Sequence, residues 1–319
     1  MEYKLSEFCA GTGAFSIGFE STGHVETVYA NDIEPNSKKI FDANNNLKLT
    51  LQDIHTIDIS SIPKMDILTS GFPCQPFSLA GKKGGFEDIR SNVFWKLIEI
   101  INHHKPSCVV LENVKNILTH DNGNTFKIIT DKITEIGYTC KYKVINTCKF
   151  TDIPQNRERV YIVCFKNKNH YDLFKFPPDV NNTIEIKELL LQNIPDKYYY
   201  KDTSKIYNTL IRDITKHINT NTIYQYRRHY VRENMKKICP TLTANMGTGG
   251  ANVPMIKDDK GIRKLTPREC FMLQGFNDNY ILPENMSNSA LYKLAGNAIT
   301  VKVITKIANE IIKVLNHIN

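Results

Sequence analysis

Tyr3-Lys4-Leu5-Ser6-Glu7-Phe8-Cys9 runs directly into Ala10-Gly11-Thr12-Gly13-Ala14-Phe15. A β-prone apolar run that ends on two glycines and then opens a helical stretch, Phe15–Ser21, reads as a strand turning tightly into a helix. Working outward, the same rhythm recurs: Val25–Asn31 precedes Pro35–Asn44, Asp66–Ser70 precedes Ser91–His103, and Cys108–Glu112 precedes Asn124–Ile136. Repeated βαβ units predict an α/β fold with a doubly wound, mostly parallel sheet. Val160–Phe165 reads as its last strand. After about Lys175 the alternation gives way to Pro177-Pro178, Asn-rich and Tyr-rich stretches and a Gly-rich loop at Gly247–Gly250. The predicted organisation is therefore a first domain over 1–175, a smaller irregular domain over 176–265, a hinge over 266–289, and helices over 290–319 that return to the first domain.

The 319 residues are 41% apolar and 23% charged, the composition of a folded chain with a sizeable core and not of a disordered or fibrous one. No window approaches 18 uninterrupted apolar residues, and Glu2, Lys4 and Glu7 stand where a signal peptide needs an apolar run, so a cytoplasmic protein with no membrane association is expected. The eight cysteines include no C-x-x-C pair and are expected to be reduced thiols, with no metal site. The net charge is +8, and its excess is local: from Lys197 to Lys237 there are ten basic residues against three acidic, interleaved with tyrosines that include Tyr198, Tyr199, Tyr200, Tyr224, Tyr226 and Tyr230. Such a segment suits a polyanion, although charge alone leaves a solvated lysine-rich face equally open.

In open α/β sheets the ligand lies outside the carboxyl ends of the strands, where every chemical candidate in this sequence falls. Gly11 and Gly13 let backbone approach a ligand, and Asp32, about 20 residues past them, has the offset of a carboxylate that holds ribose hydroxyls. Without a third glycine of the dinucleotide fingerprint, a small adenosine-containing ligand is favoured over NAD. The fourth strand runs into Pro73-Cys74-Gln75, and the fifth into Glu112-Asn113-Val114; as sheet neighbours they would set a thiol nucleophile beside an acid. Gln155-Asn156-Arg157-Glu158-Arg159 enters the last strand with two arginines expected on one strand face, a source of positive charge near the thiol.

Taken in linear order, these motifs resemble the DNA cytosine-5 methyltransferases, small prokaryotic or viral type, over nearly the whole chain. The resemblance rests on Phe8–Phe19, Asp32, Asp53-Ile54, Pro73-Cys74-Gln75, Glu112-Asn113-Val114, Gln155–Arg159, Arg263–Phe276 and Leu291–Val303. It implies S-adenosylmethionine as cofactor, held by Phe8, Gly11, Gly13, Asp32, Ile33, Asp53, Ile54 and Asn297. It implies catalysis by Cys74 on C6 of a flipped-out cytosine in double-stranded DNA, with Glu112 at N3 and with Arg157 and Arg159. For the second domain it implies target recognition, with DNA contacts from Arg227, Arg228, Arg232, Thr241, Gly249 and Gly250, joined by Ser78. It implies also a monomer and a cognate restriction endonuclease that acts separately. The chain departs from the family pattern at Cys9, Ala14, Ile33 and Gln52, all on the cofactor side. The tRNA-methylating branch of the family carries a contiguous Cys-Phe-Thr that is absent here, and a catalytically silent DNA-binding member would not need both Cys74 and Glu112.

Overall fold

The structure, a computed structural model, describes residues 2–73, 93–180, 184–214, 222–234, 237–247 and 252–317. Cys74, Ser78, Gly249 and Gly250 lie outside the described residues. The contacts divide the chain into a larger unit, Met1–Ile145 with Glu158–Pro178 and Val303–Asn319, and a smaller one, Asn146–Arg157 with Asp179–Lys302.

The strands of the larger unit are β1 (Tyr3–Phe8), β2 (Val25–Asp32), β3 (Thr50–Leu51), β4 (Ile67–Ser70), β5 (Cys108–Val114) and β6 (Thr139–Asn146); after β7 (Gln155–Asn156) of the smaller unit comes β8 (Glu158–Phe165). They form a seven-stranded sheet in the order β3-β2-β1-β4-β5-β8-β6. The pairs β1–β2, β2–β3, β1–β4 and β4–β5 are parallel, and β5–β8 is antiparallel. Strand order reverses between β1 and β4, and that reversal is where an open α/β sheet offers its ligand crevice. All of β4 and all but the last residue of β5 are buried, in keeping with their apolar starts, Ile67-Leu68 and Cys108–Leu111, ahead of polar residues at their carboxyl ends.

The helices of the larger unit begin with α1 (Ala14–Glu20), α2 (Pro35–Asn44), α3 (Val93–His104) and α4 (Asn124–Glu135). In α3 the residues Phe94, Leu97 and Ile101 recur at three- and four-residue steps and bury one stripe against Leu68, Val109 and Leu111 of the sheet. Truncating the fully buried Phe94 to Ala would cost about 3–5 kcal/mol. One expectation fails in this unit: Cys140 on β6 and Cys164 on β8 pair as a disulfide. Adjacent strands bring together two sulfurs whose sequence spacing gave no sign of it.

The smaller unit is more ordered than its composition suggests. Its strands β9 (Ile223–Arg227), β10 (Tyr230–Asn234), β12 (Met255–Asp258) and β13 (Gly261–Lys264) form an antiparallel sheet in the order β10-β9-β12-β13, while β11 (Cys239–Pro240) pairs with β7. After α5 (Thr147–Phe150) and α6 (Lys168–Leu173), α7 (Tyr207–Ile214) packs Leu210 and Ile214 against Tyr224, Val231, Met255 and Ile262. The segment expected to be a hinge carries α8 (Pro267–Met272), started by Thr266 with Pro267 at its first position and Glu269 reaching back in a capping box. It is followed by α9 (Asn288–Asn297) and α10 (Val301–Asn316).

The expected 175/176 boundary falls three residues before the division at Pro178/Asp179, while the smaller unit also takes in 146–157 and the segment expected to be a hinge. Gln155 donates to the Leu273 carbonyl at 2.7 Å and accepts from the Leu242 N–H at 3.1 Å, so 146–157 and 266–302 are knitted into the smaller unit. Only from Val303 onward does the C-terminal region group with the larger unit, where a Cβ on Gly18 of α1 would lie 2.6 Å from Ile304 Cγ2. Among the described residues no helix is long and apolar enough to cross a membrane.

Candidate active site

The turn after β1 is built from three left-handed residues: Cys9 (φ 52°), Gly11 (φ 54°) and Gly13 (φ 76°). Glycine tolerates this region, whereas at Cys9 it carries local strain. A side chain on Gly13 would also press on the Phe41 ring at 3.0 Å, while one on Gly11 would meet nothing nearer than 4.0 Å. The backbone at Gly11 is therefore open to a ligand. Asp32, at the end of β2, accepts from the Gly11 N–H and the Glu34 N–H, both at 2.8 Å. Burial raises its carboxyl above the usual range, and these bonds oppose the rise. Burial also pushes the Cys9 thiol up to about 12, with the Asp32 charge adding to it, so Cys9 is no nucleophile at neutral pH.

Next to Asp32 the apolar side chain of Ile33 is 66% exposed, an unusual state for isoleucine. Beyond β3, Asp53 accepts from the His55 N–H at 3.0 Å and Ile54 is buried. A glycine backbone without overhead obstruction, a half-buried carboxylate and an exposed aliphatic face fit a nucleoside carrying a sugar and a base. Phe8 lies in the core at the end of β1. Its ring is fully buried in the same core cluster as Ile54, 5.6 Å from the Tyr29 ring.

Sequence reasoning missed Glu7. It is buried beneath α1 and accepts from the N–H groups of Phe15 (3.3 Å) and Ser16 (2.9 Å) and from the Ser16 hydroxyl, which fixes the helix that the glycine turn opens. Burial raises its carboxyl to about 7 against the Ser16 bonds. The signal was available as an acid inside an otherwise buried strand four residues before Gly11.

At the carboxyl end of β5, Glu112 pairs in register with Tyr161 of β8. The Arg159 Nε lies 3.2 Å from Glu112 Oε1, with the two side chains only 16% and 9% exposed. The neighbouring Asn113 donates from Nδ2 to the Phe72 carbonyl at 2.9 Å and accepts from the Val114 N–H at 2.8 Å. Asn113 thus ties the end of β5 to the residue two before Cys74, the position where the chain leaves β4.

The order of strands, the glycine turn with Asp32, and the acid–arginine pair agree with a match to the family model for C-5 cytosine-specific DNA methylase over residues 3–313. The chain belongs to that family. It is 47% identical over 314 residues to type II methyltransferase M.Bsp6I of Bacillus sp. (strain RFL6), covering 97% of this chain and 98% of the relative. To type II methyltransferase M.HhaI of Haemophilus parahaemolyticus it is 34% identical over 321 residues, 98% and 95% of the two chains. Among solved structures, a mutant DNMT2 of Spodoptera frugiperda superposes with a TM-score of 0.75 over 98% of this chain and 100% of that one, at 20% identity, a likeness of fold. This protein is a DNA cytosine-5 methyltransferase that uses S-adenosylmethionine and acts on double-stranded DNA.

Within this methyltransferase, Arg157 does not join Arg159 on one strand face. The strand breaks after Asn156, and the buried Arg157 guanidinium donates to the carbonyls of Leu242 (3.0 Å), Ala298 (2.8 Å) and Gly296 (3.4 Å), all in the smaller unit. These bonds hold three stretches of backbone together. Asn297 is exposed at the end of α9, also in the smaller unit. The neighbouring Gly296 is required by packing, since a Cβ there would sit 2.2 Å from the Thr243 backbone. Arg227, Arg228 and Arg232 cluster, all exposed, on the β9–β10 hairpin, where Gln225 accepts from both Arg227 (3.1 Å) and Arg232 (2.5 Å). Thr241 donates its hydroxyl to the Asn156 carbonyl at 2.6 Å, an internal bond.

Proposed function

We propose that the methyltransferase modifies C5 of a cytosine flipped out of a short specific site in double-stranded DNA, through a covalent bond between Cys74 and C6. The observation that supports this most directly is the nearly buried Glu112–Arg159 pair on β5 and β8, with Asn113 beside it anchoring the chain that enters Cys74.

S-adenosylmethionine supplies an electrophilic methyl group on a sulfonium; Gly11, Asp32, Ile33, Asp53 and Ile54 are the residues that would hold it. Cys74 adds as thiolate to C6, which turns the unreactive aromatic C5 into an enamine carbon able to take that methyl. Glu112 holds N3 with a proton during the addition, and Arg159 fixes the Glu112 carboxyl where N3 arrives. Loss of the C5 proton then expels the thiolate and restores the ring. None of these atoms can be reached inside a duplex, so the base must leave the stack at a cost of a few kcal/mol, offset in part by phosphate contacts from Arg227, Arg228 and Arg232. Asn297 would close the cofactor site, and Gly249, Gly250, Thr241 and Ser78 would lie along the DNA. The enzyme acts as a monomer within a restriction–modification pair whose endonuclease works separately.

The test uses a duplex with 5-fluorocytosine at the target, whose C5 substituent cannot leave as a proton. Incubation with S-adenosylmethionine should accumulate a protein–DNA adduct that survives denaturing electrophoresis and maps by mass spectrometry to the Cys74 peptide. Cys74→Ser should abolish it. An adduct that persists in Cys74→Ser, or none from active enzyme, would show the covalent route to be wrong.

A further inference from the structure

The segment that precedes α7 runs beside the edge strand β13, with Tyr199 bridged to Arg263 and the Tyr200 N–H donating to the Ile262 carbonyl at 2.9 Å. Between the two lies a cavity of about 340 Å³, built wholly from the smaller unit and lined by Lys197, Lys201 and Lys264 with Tyr198, Thr203 and Ser204. The one carboxylate at its edge, Asp196, is paired with Lys260. Lys264 is half-buried and meets no carboxylate among the described residues. Its ammonium lies 6.0 Å from the ring centroids of both Tyr198 and Tyr292, and Lys197 lies 5.3 Å from Tyr198 on the same ring. Burial and the Lys197 charge together depress the Lys264 ammonium. Ring faces relieve a cation only partly. Two ammonium groups beside one tyrosine in an open recess leave a positive potential that a dianion or diester would neutralise, and the hydroxyls of Thr203 and Ser204 add donors of the kind that phosphate oxygens accept.

We propose that this cavity is a phosphate site, in which Lys197, Lys201 and Lys264 hold the oxygens of one phosphate group. It lies on β13, the sheet edge opposite β10, so it is distinct from the arginines of the β9–β10 hairpin. The phosphate is either a diester of bound DNA beyond the hairpin contacts or the phosphate of a free small molecule, and two measurements on the full chain separate these sources. The first is calorimetric titration with pyrophosphate in the absence of DNA. The second is the salt dependence of binding to a fluorescein-labelled duplex.

The Lys197→Gln/Lys264→Gln variant should weaken pyrophosphate binding about tenfold or more, and Lys264→Arg, which keeps the charge, should restore it. If a DNA phosphate enters the cavity, the slope of log affinity against log salt should also fall by about 1 in the Gln variant. Loss of pyrophosphate binding with an unchanged slope assigns the site to a free phosphate compound. A reduced slope assigns it to DNA, with or without pyrophosphate binding. If wild type takes up no pyrophosphate and the slope is unchanged, the proposal is overturned. Thermal melting controls for folding, and the exposed Lys197→Gln alone supplies the same comparison should the double variant melt early. The fluorocytosine adduct, measured on the same variants, reports the catalytic reading separately.

Discussion

Arg157 lies in the smaller unit with its guanidinium donating to the carbonyls of Leu242, Gly296 and Ala298, whereas Arg159, two residues later on β8 of the larger unit, stands against the Glu112 carboxylate. In sequence the pair is one motif with one charge. In the structure one arginine donates to backbone carbonyls and the other faces the Glu112 carboxylate, because the strand break after Asn156 cancels the alternation that would have put both on one face. The contrast teaches that a charged residue in a functional motif is sorted by what its donors or acceptors already touch. Where backbone takes them, the residue is expected to act on stability; where a titratable partner takes them, on rate.

The largest expected effect is on the rate side. Glu112→Gln should lower kcat by about 10²–10⁴-fold, read as single-turnover methyl transfer to a target duplex, with little change in melting temperature. Arg159→Met should move kcat in the same direction by leaving Glu112 without its cation. An Arg159→Met enzyme with full rate would collapse the contrast.

On the other side, Arg157→Met should leave three buried carbonyls without donors and destabilise the protein by on the order of 3 kcal/mol in urea unfolding. At temperatures where the variant stays folded, its kcat should be close to that of wild type. A stable Arg157→Met protein with a depressed kcat would reverse the assignment.

The same distinction explains what could be read in advance. The β1, β2, β4 and β5 strands were legible because each is a short β-prone stretch that recurs ahead of a helical one and ends near a glycine turn or an acid. Asp32 and Glu112 were legible by offset from those runs. The β9–β10 and β12–β13 hairpins were not, since short strands with exposed Tyr, Arg and Lys carry little alternation. The role of Arg157 was hidden for another reason: its partners lie 85 to 141 residues away and are backbone carbonyls, which leave no mark on side-chain identity.

Glu7 repeats the Arg157 pattern with an acid, its carboxyl accepting from the N–H groups of α1. Its carboxyl is raised from 4.5 to about 7 by burial, so the fold keeps the proton across that window while the unfolded chain has released it. Stability from this group is therefore present in full below about pH 4.5, is lost as pH rises, and is level above about 7. The loss is at most about 3 kcal/mol. Glu7→Gln should remove that slope, so unfolding free energies measured from pH 5 to 8 should fall more steeply in wild type than in the variant. Parallel curves would show that Glu7 does not keep its proton.

Asp32 stands between the two kinds, because its oxygens accept from Gly11 and Glu34 N–H groups while the residue remains half-buried at the mouth of the turn. Each carboxylate oxygen has a second lone pair, so backbone bonds leave acceptor capacity for the hydroxyls of a ribose. Asp32→Asn preserves the shape of the side chain and removes the charge that strengthens both sets of bonds. Weaker cofactor binding by about 1.5–3 kcal/mol is expected in calorimetry with S-adenosylmethionine, with DNA affinity nearly unchanged. Unaltered cofactor affinity together with a lower melting temperature would place Asp32 wholly with Arg157 and Glu7, as a residue consumed by the fold, and would move the ribose contact to another donor set.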